Sequence, residues 1–88
     1  MKRSENFVKR KIGTQFVIVA VGEATKKFSG MISLNGTGSF IWDQLENDTT
    51  VEAVAKAVTD RYDVDGETAR ADAEKLINAL AEVGAVEI

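Results

Sequence analysis

Residues 16–21 read Phe-Val-Ile-Val-Ala-Val, an unbroken apolar run rich in β-branched side chains. It is too short for a typical helix and far short of the ~20 apolar residues that span a bilayer. A strand without polar alternation is the pattern of a central strand covered on both faces. This one segment therefore demands a sheet, with a neighbour on each side and something over each face.

The neighbours are legible. Residues 7–12 alternate imperfectly, with Val8, Arg10 and Ile12 on one face, and Gly13-Thr14 marks a turn. Gly22-Glu23-Ala24 is the next turn. Residues 25–34 alternate more cleanly: Phe28, Gly30, Ile32 and Leu34 share one face, and Lys27, Ser29, Met31 and Ser33 the other. Beyond residue 34 the period changes. Asn35 can cap a helix that carries Ile41 and Leu45 four apart, and close backbone packing is expected at Gly36 or Gly38. Trp42 is expected in the core.

Thr49-Thr50-Val51-Glu52 reads as a capping box, with Thr49 as the cap and Glu52 reaching back. Val51, Val54, Ala55, Val58 and Tyr62 then form a helical stripe. Asp65 is placed to cap a third helix over 66–82, with Val64 and Ala69 as a hydrophobic staple. Its expected core stripe is Ala69, Ala73, Leu76, Leu80 and Val83. Gly84 sits where a left-handed C-terminal residue belongs, and residues 85–88 form a short last strand. Three strands, three helices and a closing strand predict one small α+β domain over 1–88, of winged-helix type.

Composition removes whole classes of chemistry. The 88 residues include no cysteine and no histidine, so disulfides, thiol nucleophiles and imidazole bases are excluded. The lack of cysteine fits a cytoplasmic protein, and the basic amino terminus has no signal-peptide core behind it. Acids near helix ends, such as Asp60, Asp63, Asp65 and Glu67, fit capping better than catalysis. The likeness of residues 63–74 to a calcium loop is faint, since the sixth position is Thr68 rather than glycine. Gly36-Thr37-Gly38 lacks the Gly-Lys-Ser/Thr element of a phosphate loop. No catalytic residue, metal or cofactor is expected.

Charge is uneven. Residues 1–30 hold seven bases and two acids, residues 31–88 four bases and twelve acids, so the halves carry +5 and −8. The split reads either as ordinary solvated surface or as a bipolar surface that steers a charged partner. A DNA-binding or regulatory winged helix is the alternative reading. However, residues 66–82 carry only Arg70 and Lys75 against Glu67, Asp72, Glu74 and Glu82, which repels phosphate. A third reading is an assembly module that dimerises through its apolar strand or open edge.

Peptide or protein binding is favoured. The segment 25–33 is a candidate edge strand, because the apolar strand before it is central, and an edge offers unpaired N–H and C=O groups to an extended chain. Ile77, flanked by Ala73 and Ala81, extends the apolar face of the last helix. With Phe28 and Met31 or Ile32 it would line a groove, although plain core packing is the competing role for Phe28 and Ile32. Lys26 and Lys27 either guard the edge against aggregation or meet an acidic partner.

Leu34-Asn35-Gly36-Thr37-Gly38-Ser39-Phe40-Ile41-Trp42-Asp43-Gln44-Leu45 resembles the Leu-Asn-x-Thr-Gly-x-x-Ile-Trp-x-x-Leu signature of PqqD-like proteins. The likeness continues through Thr50-Val51-Glu52, Tyr62, Asp72, Leu76, Ile77 and Leu80 to Gly84-Ala85-Val86. It departs at residues 47–50, which lack a glycine, and at Ala85, which replaces a larger apolar residue. The resemblance implies a winged helix-turn-helix RiPP recognition element without chemistry or cofactor of its own. Such a protein binds the leader of a ribosomally made precursor as a strand added beside the third helix. It then presents the precursor to a modifying enzyme, often a radical S-adenosylmethionine protein. Carried onto this chain, the candidate contacts are Lys26, Lys27, Phe28, Ser29, Met31 and Ile32 on the strand and Arg70, Ala73, Glu74 and Ile77 on the helix. A monomer or weak homodimer is expected, with no nucleic-acid or membrane partner.

Overall fold

The computed structural model describes residues 1–87. Strand β1 (Lys2–Arg3) is followed by the hairpin of β2 (Phe7–Ile12) and β3 (Gln15–Ala20), then β4 (Met31–Leu34). Helices α1 (Gly36–Gln44), α2 (Val51–Arg61) and α3 (Gly66–Glu82) follow, and β5 (Val86–Glu87) closes the described chain. Ile88, expected in the last strand, lies outside the described residues. The result is an α+β molecule with a three-stranded antiparallel sheet in the order β2-β3-β4, and a separate β1-β5 ribbon.

The apolar run is the central strand, as its composition demands. Gly13, at φ +63°, opens the two-residue loop between β2 and β3. A positive φ at the first loop position alone is a type II′ turn, whose twist matches the strands it joins. Phe16, Ile18 and Ala20 face the helices together with Phe7, Ile32 and Leu34. Helices cover only this face. Val17 and Val19 point the other way, outside the cluster under the helices, with Val17 3% exposed and Val19 half-buried, so the expected cover on both faces is half met.

The core forms where this sheet face meets the three helices. Trp42 is 1% exposed, as expected, and packs with Ile18, Ile41, Leu45, Val54, Val58, Ile77 and Leu80. Burying a side chain of this size stabilises the fold by roughly 1.5–3 kcal/mol. The helix starts are set by side-chain caps. Asn35 Oδ1 accepts from the Gly38 N–H at 2.7 Å, and Asp65 Oδ1 from the Thr68 N–H at 2.7 Å. Gly84 adopts φ +85° after α3, the left-handed ending that glycine permits.

Four expectations are corrected. The segment 25–33 is not one strand: Gly22–Lys26 is a 3-10 helix, and the strand is confined to Met31–Leu34. Its period-2 pattern over 25–30 was outweighed by the turn at Gly22, which has φ +61°. The cap of α2 is Thr50, whose hydroxyl accepts from the Ala53 N–H at 3.1 Å. Thr49 is held outside the helix because its N–H donates to the Met1 carbonyl at 2.8 Å. Val64, expected as half of a staple, is 39% exposed. In α3 the fully buried stripe is Ala69, Ala73, Ile77 and Leu80, and Leu76 and Val83, expected in it, are only partly buried against that core. The ribbon pairing Lys2 with Glu87 and Arg3 with Val86 was not anticipated, because two-residue strands carry no period.

Candidate functional site

Strand β4 is an edge: β3 pairs with one side of it, and no described strand pairs with the other. Which groups reach the open side follows from the hairpin. The Gly13-Thr14 turn makes Ile12 and Gln15 a hydrogen-bonded pair. Alternation along β3 then directs the main-chain groups of Phe16 and Ile18 toward their β4 partners, Leu34 and Ile32. Met31 and Ser33 are left with N–H and C=O directed to the free edge.

A groove of about 500 Å³ opens at the C-terminal end of this edge. Leu34 and Ile41 form its floor, and Leu76 and Ala79 form its α3 wall. Asp72 and Lys75 stand on the α3 rim, opposite Ser33, Asn35 and Thr37. The first turn of α1 thus lies between β4 and α3. A depression of about 450 Å³ by Thr14, Gln15 and Phe16 continues the surface along the hairpin end and shares Ser33, Leu34 and Asn35 with the groove. The arrangement offers two main-chain partners and apolar side-chain pockets, with one charge of each sign on the helix.

The residues expected at the site are distributed differently. Met31 and Ile32 lie on β4, with Met31 58% exposed on the outer sheet face and Ile32 turned toward the core. Lys26 belongs to the 3-10 helix and pairs with Glu23 at 3.3 Å, and Lys27 caps that helix. Phe28 packs on the core, its ring 6.1 Å from that of Phe7. Ser29 is exposed, ahead of the strand. On α3, Ala73 and Ile77 are 0% and 1% exposed and belong to the core, so neither lines the groove. Arg70 reaches α2 instead, donating to Glu52 Oε1 at 2.7 Å. That bond holds the Glu52 carboxyl below its ordinary range and the Arg70 guanidinium above its own. Glu74 is exposed. The groove-facing residues of α3 are therefore Asp72, Lys75, Leu76 and Ala79, which the sequence reading did not choose. A helix turns ~100° per residue, so Ile77 in the core leaves Leu76 and its i−4, i−1 and i+3 neighbours Asp72, Lys75 and Ala79 on the side that meets β4.

A separate depression of about 520 Å³ lies between β1, β2 and α1. Its charges answer one another: Arg3 stacks 5.5 Å from the Trp42 ring centroid, and Lys9 donates to Asp43 Oδ1 and Ser39 Oγ, both at 2.7 Å. Among the described residues no cluster of three or more carboxylates could hold a metal ion. No helix of the described residues is long and apolar enough to cross a membrane.

No curated protein matches this sequence. Among solved structures, TbiB1 in complex with the TbiA(beta) leader peptide is similar, with a TM-score of 0.76 and 28% identity. The match covers 99% of this chain and 95% of that one. The family model described as coenzyme PQQ synthesis protein D matches residues 15–86, from the central strand to the last. With the signature at 34–45, the capped helices and the edge strand all inside that span, the chain belongs to the PqqD family.

Proposed function

We propose that this protein captures the leader of a ribosomally synthesised precursor peptide and presents it to a modifying enzyme, often a radical S-adenosylmethionine protein. The leader adds as a strand to the outer edge of β4, and an apolar side chain of the leader enters the groove against Leu76. The protein works in the cytoplasm as a winged helix-turn-helix module, without a cofactor or catalytic residue of its own. One observation carries this reading: an open strand edge, with the main chain of Met31 and Ser33 facing outward, lies beside a groove whose polar rim surrounds the apolar Leu34, Ile41, Leu76 and Ala79. Strand pairing supplies affinity that tolerates sequence variation, and the pocket supplies selectivity. Family membership and the likeness to a protein solved with a leader peptide support it. The acidic balance of α3 argues against a phosphate-reading helix.

The test is a titration of the protein with leader peptides from neighbouring reading frames, followed by amide exchange. Micromolar binding with protection of the Met31 and Ser33 amides is expected. No binding by any leader, or protection confined to other elements, overturns the reading.

A further inference from the structure

The outer face of the sheet is apolar and has no helix on it. The register sets Val8, Val19 and Met31 in one cross-strand row and Arg10, Val17 and Ser33 in the next, with Ile12 beside Gln15 beyond. Val8, Ile12, Val17, Val19 and Met31 do not join the cluster packed under the helices; Val17, at the centre of the outer face, is 3% exposed, Val8 and Val19 are half-buried, and Ile12 and Met31 are open. Met31 and Ile12 are 58% and 56% exposed, the two most exposed large apolar side chains described. A strand that is apolar on both sides ordinarily has cover on both, and this fold supplies it on one.

Charge and size describe what would cover the other. Arg10 is the one charged side chain on this face, it is exposed, and no described carboxylate pairs with it. A second copy would bring a second Arg10 and no acid for either. Strands ~4.8 Å apart, with three outward positions on β2 and on β3 and two on β4, give a face of roughly 260 Å². That is well below the ~800 Å² per partner of stable complexes and suits a transient contact.

We propose that this face docks a protein surface made of an apolar patch with a carboxylate opposite Arg10. Resting on the peptide-capture reading, that partner is the enzyme receiving the leader. One sheet then serves two ligands: its β4 edge holds the peptide, and its outer face holds the recipient.

The probe is the peptide-modifying enzyme encoded beside this protein, titrated against labelled wild type, Arg10→Glu and Ile12→Glu. Both side chains are exposed on β2, away from the β4 edge, so both variants should melt like wild type and bind leader within twofold of it. Their affinity for the enzyme should fall at least tenfold. Unchanged enzyme affinity in both variants, or no enzyme binding by wild type, overturns the proposal. So does binding to phosphatidylcholine–phosphatidylserine vesicles that the variants lose, or a concentration-dependent dimer in light scattering that Ile12→Glu abolishes. Failure of the leader alone to bind defeats the peptide reading separately, because the enzyme titration is also run without leader.

Discussion

Leu76 and Ile77 are neighbours on α3 that serve different surfaces: Ile77 is 1% exposed in the core, while Leu76 lines the groove beside β4. Ile77→Ala should therefore cost about 2–5 kcal/mol of stability, through lost contacts and the cavity left behind. Leu76→Ala should cost less than about 1 kcal/mol of stability but weaken leader binding roughly five- to thirtyfold, the worth of ~1–2 kcal/mol of apolar contact. Urea denaturation and leader titration of the two variants separate these effects. Equal stability losses would place Leu76 in the core as well.

Ser33 lies on β4 with its main chain toward the open edge, and proline is tolerated in a strand where the missing N–H faces solvent. Ser33→Pro should keep the circular dichroism spectrum and lower leader affinity at least fivefold, in line with ~1 kcal/mol for a lost hydrogen bond. An unaltered titration would mean that the leader does not pair at this position.

Gly36 and Gly38 both open α1 but differ in surroundings. A Cβ on Gly36 meets nothing within 4 Å, so Gly36→Ala should stabilise by about 0.5 kcal/mol through the unfolded chain. A Cβ on Gly38 lies 3.2 Å from Asn35 Oδ1 and 3.4 Å from the Leu34 Cβ. Asn35 is held by its capping bond and Leu34 is buried, so neither gives way easily. Gly38→Ala should lose that gain and lower the melting temperature, which thermal denaturation of the pair will show.

The Thr68 N–H and hydroxyl, both bonded to Asp65, hold its carboxyl below the ordinary value of 3.8. A depressed folded value means that the cap stabilises fully above the unfolded value and that this contribution fades as pH falls below about 4. Asp65→Asn keeps an acceptor at the cap but cannot titrate there. Melting temperatures from pH 7 to 2.5 should thus fall less steeply for the variant than for wild type below pH 4. Parallel curves would show that the cap does not contribute to acid sensitivity.

Much of this molecule was legible because its signals are local. The capping residues Asn35 and Asp65, the left-handed Gly84 and the 66–82 helix depend on backbone groups only a few positions away, and all are found where the side chains direct. The cap shift from Thr49 to Thr50 was not legible, because it follows from Met1, 48 residues away, binding the main chain of Thr49. The short β1-β5 ribbon escaped for the same reason.

The order of residues along the chain was enough to require a sheet with Phe16–Val21 at its centre, three helices after it, and membership of the family whose signature begins at Leu34. Those follow from periodicity, capping and motif spacing, which are properties of neighbours in the chain. Tertiary packing alone decided that Ile77 rather than Leu76 enters the core, and that Arg70 turns to Glu52. It also left Val17 and Val19 without a helix above them. Each of those outcomes depends on which distant element packs against a shared face, and a helical or strand period permits either answer.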